Sequence, residues 1–260
     1  MAKICITVPV FINKQEHKQY LDQTTVSIHS DKNEIMFVPV ENYVTPSLIP
    51  ISYVFRQEPS EIRILGGGSN QSVANAWNMG IEEGILHDCK YILVINSDIV
   101  MKANAIDRLV DFADSQPEAV MWTMGEWADL GTLDAAPEDE NYSEHPHFSC
   151  YMVRHDFFTH VGKFDTNFVP AYLEDNDMVA RLALAHKKAY VYGGARFYHY
   201  GSRTIKSDNE QWRKNSVTFP KNQQYFLSKW GHPVVGEPDE MRAKYYSTPY
   251  NTGKPLSYSR

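Results

Sequence analysis

The stretch Tyr91-Ile-Leu-Val-Ile-Asn-Ser-Asp98 constrains the fold of this chain more than any other. Five apolar or aromatic residues run without a charge from Tyr91 to Ile95, which suits a strand buried on both faces of a parallel sheet. The run breaks at once into Asn96, Ser97 and Asp98. In open α/β sheets, ligands bind in the crevice beyond the carboxyl ends of the strands, so an acid at that point faces a site. Asp98 offers hard oxygen ligands of the kind that hold Mg²⁺ or Mn²⁺ and, through the ion, a diphosphate. The plainer alternative is that Asp98 opens a turn before a helix at about Ala103.

Strands and helices alternate around this stretch. Lys3 to Val10 is predicted as a strand with Pro9 at its end, residues 14–30 as a first helix, and Glu34 to Val40 as a second strand closing on Glu41 and Asn42. Glu61 to Leu65 reads as a third strand. Gly66-Gly-Gly68 then opens a helix capped by Ser69 or Asn70, with Val73, Trp77, Ile81 and Ile85 on one face. The glycines lack a following Gly-Lys-Ser/Thr, so they read as a turn rather than a phosphate loop. A helix over 103–115 and strands at Val120–Met124, Phe148–Val153 and Ala189–Tyr192 complete an α/β pattern that predicts a three-layer, mostly parallel sheet.

Two stretches stand apart from that pattern. Residues 126–147 are acidic, carry no hydrophobic period, and end in His145-Pro-His147, a pair with no third ligand spaced to make a zinc site. Tyr172-Leu-Glu174-Asp175-Asn-Asp177 precedes an apolar helix, so three acids crowd one helix N-terminus. One carboxylate can cap free N–H groups there, and three exceed what a cap needs.

The net charge of −7 argues against general affinity for nucleic acid or anionic membrane, although residues 201–260 hold ten Lys or Arg against five Asp or Glu. Cys5, Cys89 and Cys150 show neither disulfide nor metal spacing, which fits a reducing compartment. No segment approaches the roughly 20 apolar residues that span a bilayer. The expectation is a cytoplasmic protein without a transmembrane segment.

Several of these pieces, in order, resemble the family 2-type glycosyltransferases of GT-A fold over residues 3–203. The opening Ile6-Thr-Val-Pro-Val10 resembles the family's first strand, whose end borders the nucleotide base. Asn70-Gln-Ser-Val-Ala-Asn-Ala-Trp-Asn78-Met-Gly80 resembles the N-x-G-F-x-x-A-x-N-x-G helix, with Ser72 in place of the usual Gly. Asn96-Ser-Asp98 stands where a D-x-D or N-x-D metal motif belongs. Val161-Gly-Lys-Phe-Asp165 resembles V-G-x-F-D, and Glu174-Asp175-x-Asp177 with Arg181 resembles E-D-x-D-x-x-x-R. His199, followed by Gly201 and Ser202, matches a late metal-ligand histidine. The polar turn after the second strand departs from the family's D-N-G-S-x-D and is here Glu41-Asn42-Tyr43-Val44-Thr45.

The resemblance implies a metal-dependent, inverting transfer of sugar from a nucleoside-diphosphate donor to an acceptor hydroxyl of a glycan, lipid-linked or other molecule. It assigns Asp98 and His199 to Mn²⁺ or Mg²⁺. Pro9, Val10, Glu41, Asn70, Asn78, Asn96 and Ser97 go to the donor. Asp175 becomes the general base with Glu174 beside it, and Asp177 and Arg181 bind acceptor or sugar. Residues 1–100 form a donor half, 101–203 an acceptor half, and 204–260 an aromatic, basic extension that serves as a lid or an interface, a homo-oligomer included. Arg203, with Lys206, Arg213 and Lys214 of that extension, could hold the donor diphosphate or equally a phosphorylated lipid or nucleic-acid acceptor, the plainer alternative being that the basic tail docks on the acidic body. The competing readings are an inactive sugar-nucleotide-binding scaffold and a sugar-phosphate nucleotidyltransferase. The latter wants a glycine-rich loop that Val10-Phe-Ile-Asn-Lys14 does not supply.

Overall fold

The computed structural model describes residues 2–48, 51–67, 72–144, 146–201 and 209–234, the side chains of 209–215 excepted. In chain order the principal elements are β1 (Lys3–Ile12), α1 (Gln15–Val26), β2 (Glu34–Val44), the short β3 (Glu61–Ile62) and β4 (Leu65–Gly66), α2 (Val73–Leu86), β5 (Tyr91–Ile95) and β6 (Ile99–Met101). They continue with α3 (Ala105–Ser115), β7 (Ala119–Trp127), β8 (Tyr142–Ser143), β9 (Cys150–Arg154), α4 (Phe157–Val161), α5 (Glu174–Leu184), β10 (Lys188–His199) and α6 (Asn209–Trp230). A single sheet of order β3-β2-β1-β5-β9-β7-β10-β6 runs through the middle, with β4 on β2 and β8 on β10.

The expected three layers follow from the alternation of side chains along the strands. Ile4, Ile6 and Val8 of β1 face α1 and α3, where Leu21, Ile106 and Leu109 meet them. Cys5 of β1 and Met36 and Val38 of β2 face the other way, towards Trp77 and Ile81 of α2, Phe157 of α4 and Met178 of α5. All five residues of β5 are buried, as expected for a strand covered on both faces. Helix α2 lies against β1 because Gly80 leaves room: a Cβ there would sit 1.9 Å from Thr7 Oγ1.

The sheet is mixed and mostly parallel. Strand β9 runs antiparallel between β5 and β7, and β6 runs antiparallel to β10. Several boundaries correct the sequence reading. The first helix ends at Val26, and α2 begins at Val73, capped by Ser72 Oγ accepting the Asn75 N–H at 3.1 Å, where Ser69 or Asn70 was expected. Asp98 leads first into β6, which is too short to carry a period, and only then into α3. The last strand continues through Gly193-Gly194 to His199, with a shift in its pairing between Tyr192 and Arg196.

The acidic 126–147 segment is held to the body by ion pairs. Arg108 meets Glu138 at 3.0 Å and also Glu140, and Lys188 meets Glu144 at 2.6 Å. Such exposed pairs are worth only about 0–1 kcal/mol each. They give Glu138, Glu140 and Glu144 a structural role. Among the described residues no helix is long and apolar enough to cross a membrane.

Candidate active site

A cavity of about 440 Å³ opens beyond the carboxyl ends of β1 and β5. Its wall brings together Pro9 and Phe11 from β1, Asn42 from β2, Asn96, Ser97 and Asp98 after β5, His199 from the end of β10, and Tyr172, Glu174 and Asp175 at the start of α5. Hydrogen bonding of the sheet explains the convergence. The antiparallel register of β6 on β10 pairs Ile99 with His199, one residue beyond Asp98, and the ladder continues as Tyr200 N–H donates to Asp98 O at 3.0 Å. Two side chains a hundred residues apart thereby meet: His199 Nε2 lies 3.1 Å from Asp98 Oδ1, with the side chains only 11% and 5% exposed. On the other side of β5, Asn96 N–H donates to Ser149 O at 2.9 Å and draws the end of the acidic segment, Pro146 to Ser149, into the wall.

Asp98 and His199 bring a carboxylate and an imidazole together at this end of the wall. No three His, Cys, Asp or Glu side chains among the described residues converge as a complete metal cage. Two protein ligands suffice for an ion that keeps waters and takes substrate phosphates as its remaining ligands, as Mg²⁺ does. Carboxylate oxygen suits Mg²⁺ and Mn²⁺ alike, and imidazole nitrogen tilts the pair towards a transition ion. The donor set therefore fits Mn²⁺.

The acids at α5 are set by an unusual backbone. Tyr172 and Leu173 both have left-handed φ, 79° and 77°, without being glycine. Such residues cost about 1–3 kcal/mol each and persist where the surroundings over-determine them. After this turn, Glu174 and Asp175 enter the first turn of α5, where the helix dipole favours negative charge. Burial outweighs the dipole. Glu174 is 5% exposed, its Oε2 meets no partner among the described residues, and desolvation followed by the Asp175 charge pushes its carboxyl well above the usual range. Desolvation also raises Asp175, against the Asn176 N–H that its Oδ1 accepts at 2.8 Å. A carboxylate raised in this way is a stronger proton acceptor than one in water.

Other expected site residues are used by the fold. Asp177 is fully buried in an ion pair with Arg181 at 2.8 Å, and the guanidinium also donates to the carbonyls of Val161 and Lys163. Neither side chain reaches the cavity, so the expectation that they touch acceptor or sugar is corrected to a brace between α4 and α5. Asn78 is likewise buried. Its Oδ1 accepts the Phe164 N–H at 2.8 Å and its Nδ2 donates to Phe164 O at 2.9 Å, stitching the α2 motif to the Val161–Asp165 motif. Asn78→Ala leaves both Phe164 backbone groups buried and unpaired, so denaturant unfolding should show a loss of about 1–3 kcal/mol. Nucleotide affinity should not move; a selective loss of affinity would restore a donor role.

Two more donor assignments change for a reason of register. Strand β2 carries an extra residue where Val10 pairs with Glu41 and Phe11 with Tyr43. The bulge re-aims the side chains. Asn42 faces the cavity, whereas Glu41 accepts a hydrogen bond from Tyr53 OH at 3.0 Å. Val10 is fully buried in the core, leaving Pro9 and Phe11 at the wall. Asn70, Arg203 and Lys206, and the side chains of Arg213 and Lys214, lie outside the described residues.

The wall also holds residues to which the sequence assigned no role in binding. His147 donates from Nε2 to Met124 O at 2.9 Å, and burial lowers its pKa. Trp77, read as a core position of α2, and Tyr172 add aromatic surface. His145, its expected companion, lies outside the described residues.

With this geometry, the chain resembles solved glycosyltransferases. It aligns over 95% of its length with GalNAc-T7, crystallised with UDP, GalNAc and Mn²⁺, at a TM-score of 0.56 and 10% identity. It aligns over 94% of its length with S. aureus TarS, at a TM-score of 0.55 and 12% identity. The fold is that of the GT-A glycosyltransferases. The chain spans about half the length of those two proteins, 54% and 43%. No family model and no curated protein matches it in sequence.

Proposed function

We propose that this GT-A chain is a metal-dependent, inverting glycosyltransferase that takes its sugar from a nucleoside-diphosphate donor. The observation that carries this reading is the sharing of one cavity by the Asp98–His199 pair and the raised carboxylate of Asp175. Asp98 and His199 would hold the ion, which when bound neutralises charge on the diphosphate. The 3.1 Å approach of the two side chains fits a shared ligand.

Asp175 accepts the proton of the acceptor hydroxyl as that oxygen bonds to the anomeric carbon. The bond from that carbon to the diphosphate oxygen breaks on the opposite face, which inverts the centre. The negative charge leaves with the diphosphate and the proton stays on Asp175. Glu174 lies beside it, its carboxyl pushed well above the usual range by burial and by the Asp175 charge. Asn96 and Ser97, which line the same cavity, would contact the donor. Mn²⁺ and UDP, found with GalNAc-T7, are the first pair to try.

The test is thermal stabilisation of the purified protein by UDP, GDP, dTDP and CMP, each with and without Mn²⁺. Ligand at a hundredfold excess over Kd stabilises by about 2.7 kcal/mol, which a melting curve resolves. A shift with one nucleoside diphosphate that requires the metal is the expected result. No shift with any nucleotide overturns the donor site.

A further inference from the structure

Helix α6 has no part in the chemistry above, yet it grips the segment that carries Glu174 and Asp175. Asn222 is 3% exposed, and its Nδ2 donates to Ala171 O and Tyr172 O, both at 3.0 Å. Those carbonyls belong to the cavity wall and immediately precede or lie within the left-handed Tyr172–Leu173 turn. The flanks of the same segment are tied to α6 as well. Lys229 bridges Asp165 at 2.5 Å and Asp177 at 2.7 Å, Tyr225 OH donates to Asp165 at 2.8 Å, and Trp230 Nε1 donates to Asp177 at 3.0 Å. Phe226, fully buried, packs on Phe168 and Leu173 beneath the turn. Two consecutive non-glycine residues in the left-handed region need such over-determination to persist. Among these contacts, the amide of Asn222 is the one that addresses the turn's own backbone. A single NH₂ group offers two donors, and both are used here.

We infer that Asn222 is a positioning residue: its amide holds the Ala171–Leu173 backbone in the conformation that presents Asp175 to the cavity. This deepens the transfer reading and rests on it. Asn222 touches no reacting atom. Its removal loosens the acid while leaving the Asp98–His199 end, on other strands, as it was.

The experiment compares wild-type protein with Asn222→Ala and with the isosteric Asn222→Asp, which keeps volume and loses both N–H donors should the alanine variant fold poorly. Amide hydrogen exchange is read by mass spectrometry, and kcat and donor KM are read with the sugar nucleotide that stabilises the wild type. Exchange across residues 171–177 should rise by about tenfold with the central strands unchanged, as expected for local opening. The kcat should fall by about a hundredfold, the scale of a misplaced catalytic group, and donor KM should stay within about twofold. Unchanged exchange in 171–177 overturns the inference. So does faster exchange with unchanged kcat, and so does a parallel loss of kcat, KM and global stability, which marks a merely structural residue. If wild-type protein transfers sugar from none of the four donor classes, the transfer reading fails. The exchange comparison then upholds or overturns the holding of the turn without reference to activity.

Discussion

Asp175→Asn should abolish sugar transfer while leaving donor binding intact. A positioned general base contributes about 10²–10⁴-fold. At 1.36 kcal/mol per tenfold, that is about 3–5 kcal/mol of barrier. Asparagine keeps the size of the side chain, and its amide oxygen still accepts the Asn176 N–H now taken by Asp175 Oδ1. The fold should therefore survive. Burial makes ionisation of Asp175 costly, so the amide removes a group that resists charging, and the melting temperature should hold or rise. The pH dependence has a definite sign. Asp175 works as a base only when ionised, and its pKa lies above the ordinary 3.8, so its share of activity is lost on the acid side at a higher pH than for an exposed aspartate. That limb should vanish from the residual rate of the variant. Initial rates with the identified donor, beside the metal-dependent melting shift, give both readings. Turnover near that of the wild type would remove Asp175 from the chemistry.

The second large effect is expected at the other end of the cavity. Asp98→Ala removes the carboxylate of the proposed two-residue ion site and leaves His199 as its one proposed ligand, since no group of three His, Cys, Asp or Glu among the described residues forms a cluster. Even partners that merely orient metal ligands are worth about 10–100-fold in metal affinity, so loss of a direct ligand should cost at least that much. The Mn²⁺-dependent part of the UDP melting shift should disappear. The backbone carbonyl of residue 98 still accepts the Tyr200 N–H, so β6 and β10 stay in register and the loss is confined to the site. Titration calorimetry with Mn²⁺ and UDP gives the affinity directly. A metal-dependent shift that survives in the variant would falsify the assignment of the ion to Asp98.

The two variants should separate the halves of the proposed mechanism: Asp175→Asn is expected to bind donor without transferring, and Asp98→Ala to fail before transfer is reached. Helix α6 links neither to a known partner, but its grip on the 165–177 segment couples the base, and not the ion site, to the C-terminal part of the chain.

Local pattern carried much of this protein. The charge-free Tyr91–Ile95 run, its break at Asn96-Ser-Asp98, and the helix beginning at Glu174-Asp175 are written in consecutive residues, and the structure keeps them where periodicity put them. Burial of apolar side chains at period 2 or 3.6 is a local constraint, so it survives being read one residue at a time. The placement of individual polar groups depends instead on long-range registry. The bulge beside Val10 turned Asn42 rather than Glu41 to the cavity, a one-residue slip that no propensity records. Asn78, Asp177 and Arg181 carry the same polar atoms whether they bind a ligand or brace a backbone. Only the arrival of Phe164 beside one, and of the Val161 and Lys163 carbonyls beside another, made them structural. Resemblance had marked His199 as a ligand, but its approach to Asp98 depends on the antiparallel pairing with three-residue β6, and the left-handed turn before Asp175 is held by an asparagine fifty residues downstream. Hydrogen bonds of this kind join groups whose separation along the chain is large and whose partners are interchangeable in composition, so tertiary packing alone selects among them.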